Sequence, residues 1–326
     1  MPSTPHRTVV ITGGTSGLGY HCAIKIARQK PSYHIILASR TDPNSAAESI
    51  NKLLGQNNVS FLRLDLSNLA LVRSFVAEFE ARAHPPIESL ILNAGSQFPD
   101  GVQYTEDGFE STFAINHLGH ALLFSLLLPS LSDTARIVVT SSGTHDPEQK
   151  SGLPDSRYTT AEDLAHPNPE SARNPGRQRY TTSKLVNVLW TYALHRRLQQ
   201  LNADKGKSWS VAAFDPGLMP GTGLLREAGA VTRFIWRRIL PKALPILRFL
   251  FSPNTHTPEE SGAALSWLAT SDDCKSISGA YYEGKRAINS SDESHDEKKQ
   301  EDLWAWTVKT IAIDPSEQRR FEVVDI

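Results

Sequence analysis

Thr8-Val9-Val10-Ile11-Thr12-Gly13-Gly14-Thr15-Ser16-Gly17-Leu18-Gly19 is the stretch that decides the fold. Its first five residues are mostly β-branched, the composition of a short buried strand. The glycines that follow make a turn without side-chain bulk. Beyond them Leu18, Cys22, Ala23, Ile26 and Ala27 recur at helical spacing. Strand, glycine-rich turn and helix in immediate succession form a phosphate cradle. The helix start offers free N–H groups and a positive dipole end, and the glycines let a phosphate approach the backbone. The spacing is G-x-x-x-G-x-G rather than G-x-G-x-x-G. Its place between a strand and a helix still points to dinucleotide binding.

Working outward, apolar runs alternate with helical patterns. His34–Ser39 reads as a second strand ending at Arg40, and Val59–Leu64 as a third ending at Asp65 and Leu66. Glu88–Leu92 runs into Asn93-Ala94-Gly95, Arg136–Thr140 into Ser141-Ser142, and Trp209–Phe214 into Asp215-Pro216-Gly217. Gly279–Tyr282 is a last strand. Between them, Pro43–Leu54, Leu69–Phe79 (with Ser67 as a plausible cap), Glu106–Leu128, Tyr180–Gln200, Pro258–Ala269 and Leu303–Ile311 read as helices. The alternation predicts an α/β fold, a single Rossmann-type doubly wound parallel sheet of about seven strands with helices on both faces. No internal repeat or second domain boundary shows, so residues 1–326 read as one domain. Residues 145–179 read as an inserted loop and 285–326 as a C-terminal extension.

Composition narrows the function classes. The chain has 326 residues, 39% hydrophobic and 21% charged, with a net charge of −1. That balance gives no electrostatic basis for nucleic-acid binding. Two cysteines exclude a disulfide framework and a cysteine-rich zinc site, and fit a reducing compartment. Residues 1–8 lack the apolar core of a signal peptide. Leu118–Leu131 is short and interrupted, and Phe234–Phe251 carries four bases and two prolines, so no transmembrane helix is expected. A cytoplasmic location follows as the expectation. His117 and His120 lie three apart without a third ligand nearby, which favours packing or hydrogen bonding over a metal; no metal is expected.

Two features carry chemistry. Tyr180 and Lys184 stand four apart in a helical pattern, hence on one face. A cation near the phenol pulls its pKa down from about 10 and makes it a proton donor and acceptor. At the tip of the second strand, Ser39-Arg40 stands where dinucleotide folds meet the adenosine ribose. An arginine there accommodates a 2′-phosphate, which gives an NADP(H) expectation.

Taken together, Thr12-Gly13-x-x-x-Gly17-x-Gly19, Asp65, Asn93-Ala94-Gly95, Asn116, Ser142 and Tyr180-x-x-x-Lys184 resemble the short-chain dehydrogenases/reductases over nearly the whole chain. Asn116-His117-Leu118-Gly119-His120, Ser141-Ser142-Gly143-Thr144-His145 and Tyr180-x-x-Ser183-Lys184-x-x-Asn187 are most similar to the branch with retinol dehydrogenases and protochlorophyllide reductase. The resemblance implies roles. Tyr180 would be the acid/base, and Lys184 would lower its pKa and bind the nicotinamide ribose. Ser142 would hold the reacting oxygen, with Ser141 as the adjacent alternative, and Asn116 would hold a water on the proton path. Thr12, Gly13, Thr15, Ser16, Gly17, Leu18, Gly19, Ser39, Arg40, Asp65, Leu66, Asn93, Ala94, Gly95, Pro216, Gly217 and Thr222 would line the cofactor, together with Tyr180 and Lys184. Two departures qualify the match. The serine and tyrosine are separated by the insertion. Leu92 and Val186 stand where protochlorophyllide reductases have cysteines, which favours a dark carbonyl/alcohol reaction.

Leu218–Asn254 falls where that family covers its substrate. It is rich in Leu, Ile, Phe and Trp, and 228–258 holds five bases and no acid. Three readings stand: an apolar lid over a lipophilic substrate, a peripheral membrane contact through 228–251, or plain packing. The expectation is an NADP(H)-dependent oxidoreductase acting on the carbonyl or alcohol of a lipophilic small molecule. A double-bond reductase and a non-catalytic NADP(H) sensor or scaffold are the alternatives.

Overall fold

The computed structural model describes residues 5–221, 234, 238, 240–250 and 252–322. Eight strands form one sheet: β1 (Arg7–Thr12), β2 (Tyr33–Ser39), β3 (Val59–Arg63), β4 (Ile87–Leu92), β5 (Leu131–Thr140), β6 (Ser210–Asp215), β7 (Ala280–Glu283) and β8 (Arg286–Ile288). Their order is β3-β2-β1-β4-β5-β6-β7-β8. All neighbours are parallel except β7 and β8. The eighth strand was not expected; it is a three-residue antiparallel return after the Gly284 turn.

Parallel strands need covering on both faces, and the period of two supplies it. Val9 and Ile11 of β1 face one core with α1 (Gly17–Gln29), α2 (Ala46–Leu54) and the later helix α8 (Pro258–Thr270). Val10 faces the opposite core with α3 (Leu69–Ala81), α4 (Ser111–Ser130), α6 (Gly176–Lys205) and α9 (Glu297–Ile311). Between α4 and α6 lies the short α5 (Ala161–Ala165); α7 (Leu244–Leu250) precedes α8, and α10 (Pro315–Phe321) closes the described chain.

Several boundaries differ from the sequence expectation, each for a local reason. Ser67 is not the cap of α3: its hydroxyl donates to Asp65 (2.7 Å), and Asn68 accepts from the Leu71 N–H instead. The helix expected from Glu106 begins at Ser111, because Thr105–Gly108 closes a turn and the buried Glu110 carboxylate accepts from the Phe113 N–H at 2.7 Å. α4 contains a π turn over Ala114–Leu118. It is long and apolar enough to span a membrane, yet 89% of its apolar window is buried inside the protein, as befits a core helix. α6 starts four residues before Tyr180, at Gly176. The inserted segment is not a free projection, since Tyr158, Ala161 and Ala165 are buried in the core with α9.

α4 packs on the end of β3 at Gly119, where an added Cβ would stand 2.5 Å from the Leu66 carbonyl oxygen and 3.0 Å from its Cβ. Alanine in a helix is usually favourable over glycine by about 0.5–1 kcal/mol. Here backbone overlap reverses the sign. Gly119→Ala is expected to destabilise the fold by about 1–3 kcal/mol, the scale of overpacking, seen as a lower urea midpoint. An unchanged or higher midpoint would show that the Leu66 segment yields.

Candidate active site

The order of strands reverses at β1 and β4. A doubly wound sheet opens its ligand cleft at that point, beyond the carboxyl ends of the strands. A cavity of about 760 Å³ lies there. The turn after β1 lines it through Gly13, Thr15, Ser16, Gly17 and Leu18; β2 supplies Ser39 and Arg40, β3 Asp65 and Leu66, and β4 Asn93, Ala94 and Gly95. Ser142, Tyr180, Lys184, Pro216 and Gly217 line the other end. Thr12, Gly19 and Asn116 are buried behind this wall, and Thr222 lies outside the described residues.

The adenosine end is a cradle of backbone. Thr12 Oγ1 accepts from the Asn93 and Ala94 N–H groups (2.8 and 2.9 Å), and Asn93 Nδ2 donates back to the Thr12 carbonyl (2.8 Å). A Cβ on Gly19 would stand 2.5 Å from the Gly13 carbonyl oxygen, so only glycine lets α1 close on its own turn. The first turn of α1 holds no acid, which leaves its positive end to an anion. Arg40 is exposed at the cavity edge. The shape and donor set fit a dinucleotide.

The opposite end is built on α6 and β5. Lys184 Nζ donates to the Thr140 carbonyl (3.2 Å), which also accepts from Asn187 Nδ2 (3.0 Å). Ser141 also lines the cleft, but its Oγ donates to the Lys184 carbonyl (2.7 Å), which commits its proton to the helix backbone. Ser142 is the serine whose hydroxyl acts on the Tyr180 phenol, opposing the rise in its pKa. Lys184 Nζ lies 5.5 Å from the centre of the Tyr180 ring. Burial pulls Lys184 down to about 8, partly opposed by the Asp215 charge. The expected downward pull on Tyr180 does not prevail. Burial and then Asp215 hold the phenol above its ordinary value, with only the Ser142 hydrogen bond opposing.

Asp215 is a functional candidate that the sequence reading passed over as part of a turn. It is buried at the end of β6, and burial raises its pKa. Its carboxylate accepts from the Gly217 N–H (2.9 Å), the Gly143 N–H and Asn254 Nδ2 (2.8 Å). Only its position before Pro216-Gly217 could have flagged it.

Two buried histidines act as braces. His145 Nε2 accepts from the Ser291 N–H (3.1 Å), so Nδ1 carries the proton and donates to the Ser142 carbonyl (2.7 Å). His120 Nδ1 donates to the Asn116 carbonyl (3.2 Å), and its Nε2 meets the Thr12 hydroxyl (2.9 Å). Burial holds His120 down to about 4, hence neutral. His117 meets Thr307 Oγ1 (2.9 Å) in the core. The Asn116 side chain binds the Ser96 backbone on both sides and donates to Ser183 Oγ at 2.9 Å.

Leu218, Met219, Ser252 and Asn254 bring the two ends of the proposed lid to the cavity. Most of its middle, including Leu224, Leu225, Val231, Trp236 and Ile239, lies outside the described residues. Gln149, Lys150 and Leu153 of the insertion also line the cleft, as does Arg177 of α6. Sequence reading missed Arg177 because it started the helix at Tyr180. Val186 is buried in the core, away from the cleft.

Residues 7–153 match the family described as short chain dehydrogenase. The chain is 31% identical to human retinol dehydrogenase 13 (Homo sapiens), over 95% of this chain and 86% of that protein. It is 30% identical to the chloroplastic protochlorophyllide reductase of Pisum sativum, over 94% of this chain and 78% of that protein. A solved uncharacterized protein from Mycobacterium Paratuberculosis superposes with a TM-score of 0.65 at 28% identity, covering 95% of each chain.

A lysine held at about 8 costs stability near neutral pH, because the unfolded chain keeps its proton up to about 10.4. Between those values the unfolded state binds more protons, so this contribution to stability rises with pH. Without added cofactor, Lys184→Met is expected to unfold later in urea than the parent at pH 7, by about 1–3 kcal/mol. The gain should shrink toward pH 10. A variant less stable at pH 7 would show that the bond to Thr140 outweighs burial.

Proposed function

The chain belongs to the short-chain dehydrogenase family, in the branch of the retinol dehydrogenases and protochlorophyllide reductases, and on that footing we propose an NADP(H)-dependent oxidoreductase acting on the carbonyl or alcohol group of a lipophilic small molecule. The observation that carries this reading is the convergence of Ser142, Tyr180 and Lys184 on one cleft, with Lys184 Nζ 5.5 Å from the centre of the Tyr180 ring.

The bound cofactor would supply the hydride. The chain's own residues do the rest. A substrate oxygen between Ser142 and Tyr180 would take hydrogen bonds from both hydroxyls, which stabilise the charge that grows there. Tyr180 then gives that oxygen its proton. Burial and Asp215 keep the phenol protonated before cofactor and substrate bind, so the proton that a carbonyl oxygen takes is in place. Lys184 would hold the nicotinamide ribose and refill the proton through water on the Asn116 carbonyl, whose other lone pair His120 occupies.

Cofactor contacts follow the cleft. Thr15, Ser16 and the first-turn N–H groups of Gly17, Leu18 and Gly19 would take the diphosphate, with Thr12 and Gly13 shaping the turn. Ser39 and Arg40 would take the 2′-phosphate, Asp65 and Leu66 the adenine, and Asn93, Ala94 and Gly95 the adenosine side. Pro216 and Gly217 would flank the nicotinamide, with Thr222 beside them by family likeness. The lipophilic substrate rests on the branch and on the apolar 218–254 segment, where Ile246 and Phe249 are exposed. The same exposed residues, with Lys242 beside them, support a peripheral membrane contact through 228–251.

Tyr180→Phe should lower kcat/KM for a lipophilic ketone by about 10²–10⁴, the scale of general acid catalysis, with NADPH binding retained by fluorescence titration. Undiminished turnover would overturn the assignment of Tyr180. Arg40→Ala should weaken NADPH about tenfold or more and leave NADH nearly untouched, as expected for loss of a charge-assisted phosphate contact. An equal loss for both cofactors would remove the basis for NADP preference.

A further inference from the structure

Three residues of α6 line the cavity, and they form one stripe: Arg177, Tyr180 and Lys184. Spacings of three and four keep them on one face. Lys184 stands on one side of Tyr180, and Arg177 one turn away on the other, about 4.5 Å along the axis. In the proposed reaction Lys184 marks the nicotinamide ribose. Arg177 therefore marks the part of the substrate that lies beyond the reacting oxygen.

A second cation lines the same cavity from the insertion. The turn Pro147–Gln149 is seated on the residue after the catalytic serine, for a Cβ on Gly143 would stand 3.4 Å from Gln149 Oε1. Lys150 follows that turn and lines the cavity. Its backbone is left-handed, with φ 47°, a conformation that non-glycine residues seldom hold without a reason. Both cations are exposed, and neither side chain has a hydrogen-bond or ion-pair partner among the described residues. The described acids of the lining are Asp65 and Asp215. Asp65 accepts from Ser67, and Asp215 from Gly217, Gly143 and Asn254. Among the described residues, neither lining acid is ion-paired with Arg177 or Lys150.

We propose that Arg177 and Lys150 form an anion subsite, and that the substrate is an amphiphilic oxo acid: an apolar chain with a carboxylate a few bonds from the reacting carbonyl. The arginine fork suits a carboxylate, and the lysine adds a second donor. The inference rests on the oxidoreductase reading above and narrows its lipophilic substrate to one with a charged end.

The test compares 5-oxododecanoate with its methyl ester, NADPH present, in the parent chain and in the Arg177→Gln, Lys150→Gln double variant. The parent should favour the acid by about tenfold or more in kcat/KM, the scale of a charge-assisted hydrogen bond. The double variant should lose most of that preference, whatever common effect it has on both substrates. Calorimetric titration with dodecanoate, a non-reducible anion, should show weaker binding to the double variant. Equal use of acid and ester by the parent, or a preference kept by the double variant, overturns the subsite alone. Loss of NADPH affinity in the double variant would assign the cations to the cofactor and overturn it equally. Turnover of neither compound would sink the oxidoreductase reading and the subsite with it.

Discussion

The carbonyl of Thr140, the last residue of β5, is the acceptor on which the site is built. It takes hydrogen bonds from Lys184 Nζ and Asn187 Nδ2, while Ser141 next to it donates to the Lys184 backbone. A buried ammonium is costly unless something polar meets it. The strand end meets it here, and so fixes both the height and the rotation of α6 against the sheet. With that rotation set, Tyr180 must face Ser142, and Leu185, Val186 and Leu189 must face the core. One interaction thus places the apolar and the reactive sides of the same helix.

The site concentrates buried ionisable groups. Lys184 is depressed, Tyr180 is raised and Asp215 is raised, in each case with burial as the first cause. Asp215 keeps its place through neutral donors, the N–H groups of Gly217 and Gly143 and the amide of Asn254. Those donors belong to three separate segments: the turn after β6, the turn holding Ser142, and the end of the lid region. The carboxylate is therefore a tie as well as a charge. Burying such a set costs stability that apolar side chains of the same size would not cost.

The sheet and the two ends of the cleft were legible because they rest on local signals. Thr8–Gly19 carries strand, turn and helix start in consecutive residues, and Tyr180 with Lys184 needs only the helical period. What escaped depends on distant partners. Ser67 looked like a cap until Asp65 claimed its hydroxyl. β8 is three residues long, mostly exposed, and exists only because β7 is beside it. Arg177 fell before the first apolar residue of its helix, where Gly176 and the polar Gln178 and Arg179 hide the period. Resemblance alone favours Ser142 over the adjacent Ser141; that the Ser141 hydroxyl is committed to the Lys184 carbonyl is visible only in space. The upward shift of Tyr180 needed Asp215, which is near only in space.

The two additions to the sheet, the insertion before α6 and the segment after β7, brace each other. Tyr158 donates its hydroxyl and Ala161 its N–H to Asp302 of α9, at 2.7 and 2.9 Å. Trp306 Nε1 donates to Glu162 Oε2 at 2.6 Å. His145 completes the bracing by linking Ser291 to the carbonyl of Ser142. A catalytic hydroxyl is only as well placed as the groups that hold its backbone. The long separation of Ser142 from Tyr180 in the sequence therefore does not loosen their pairing. The intervening chain returns to the core, takes a partner from the C-terminal segment, and delivers α6 with Arg177 already over the cleft. The chain that parts the serine from the tyrosine is the chain that positions both.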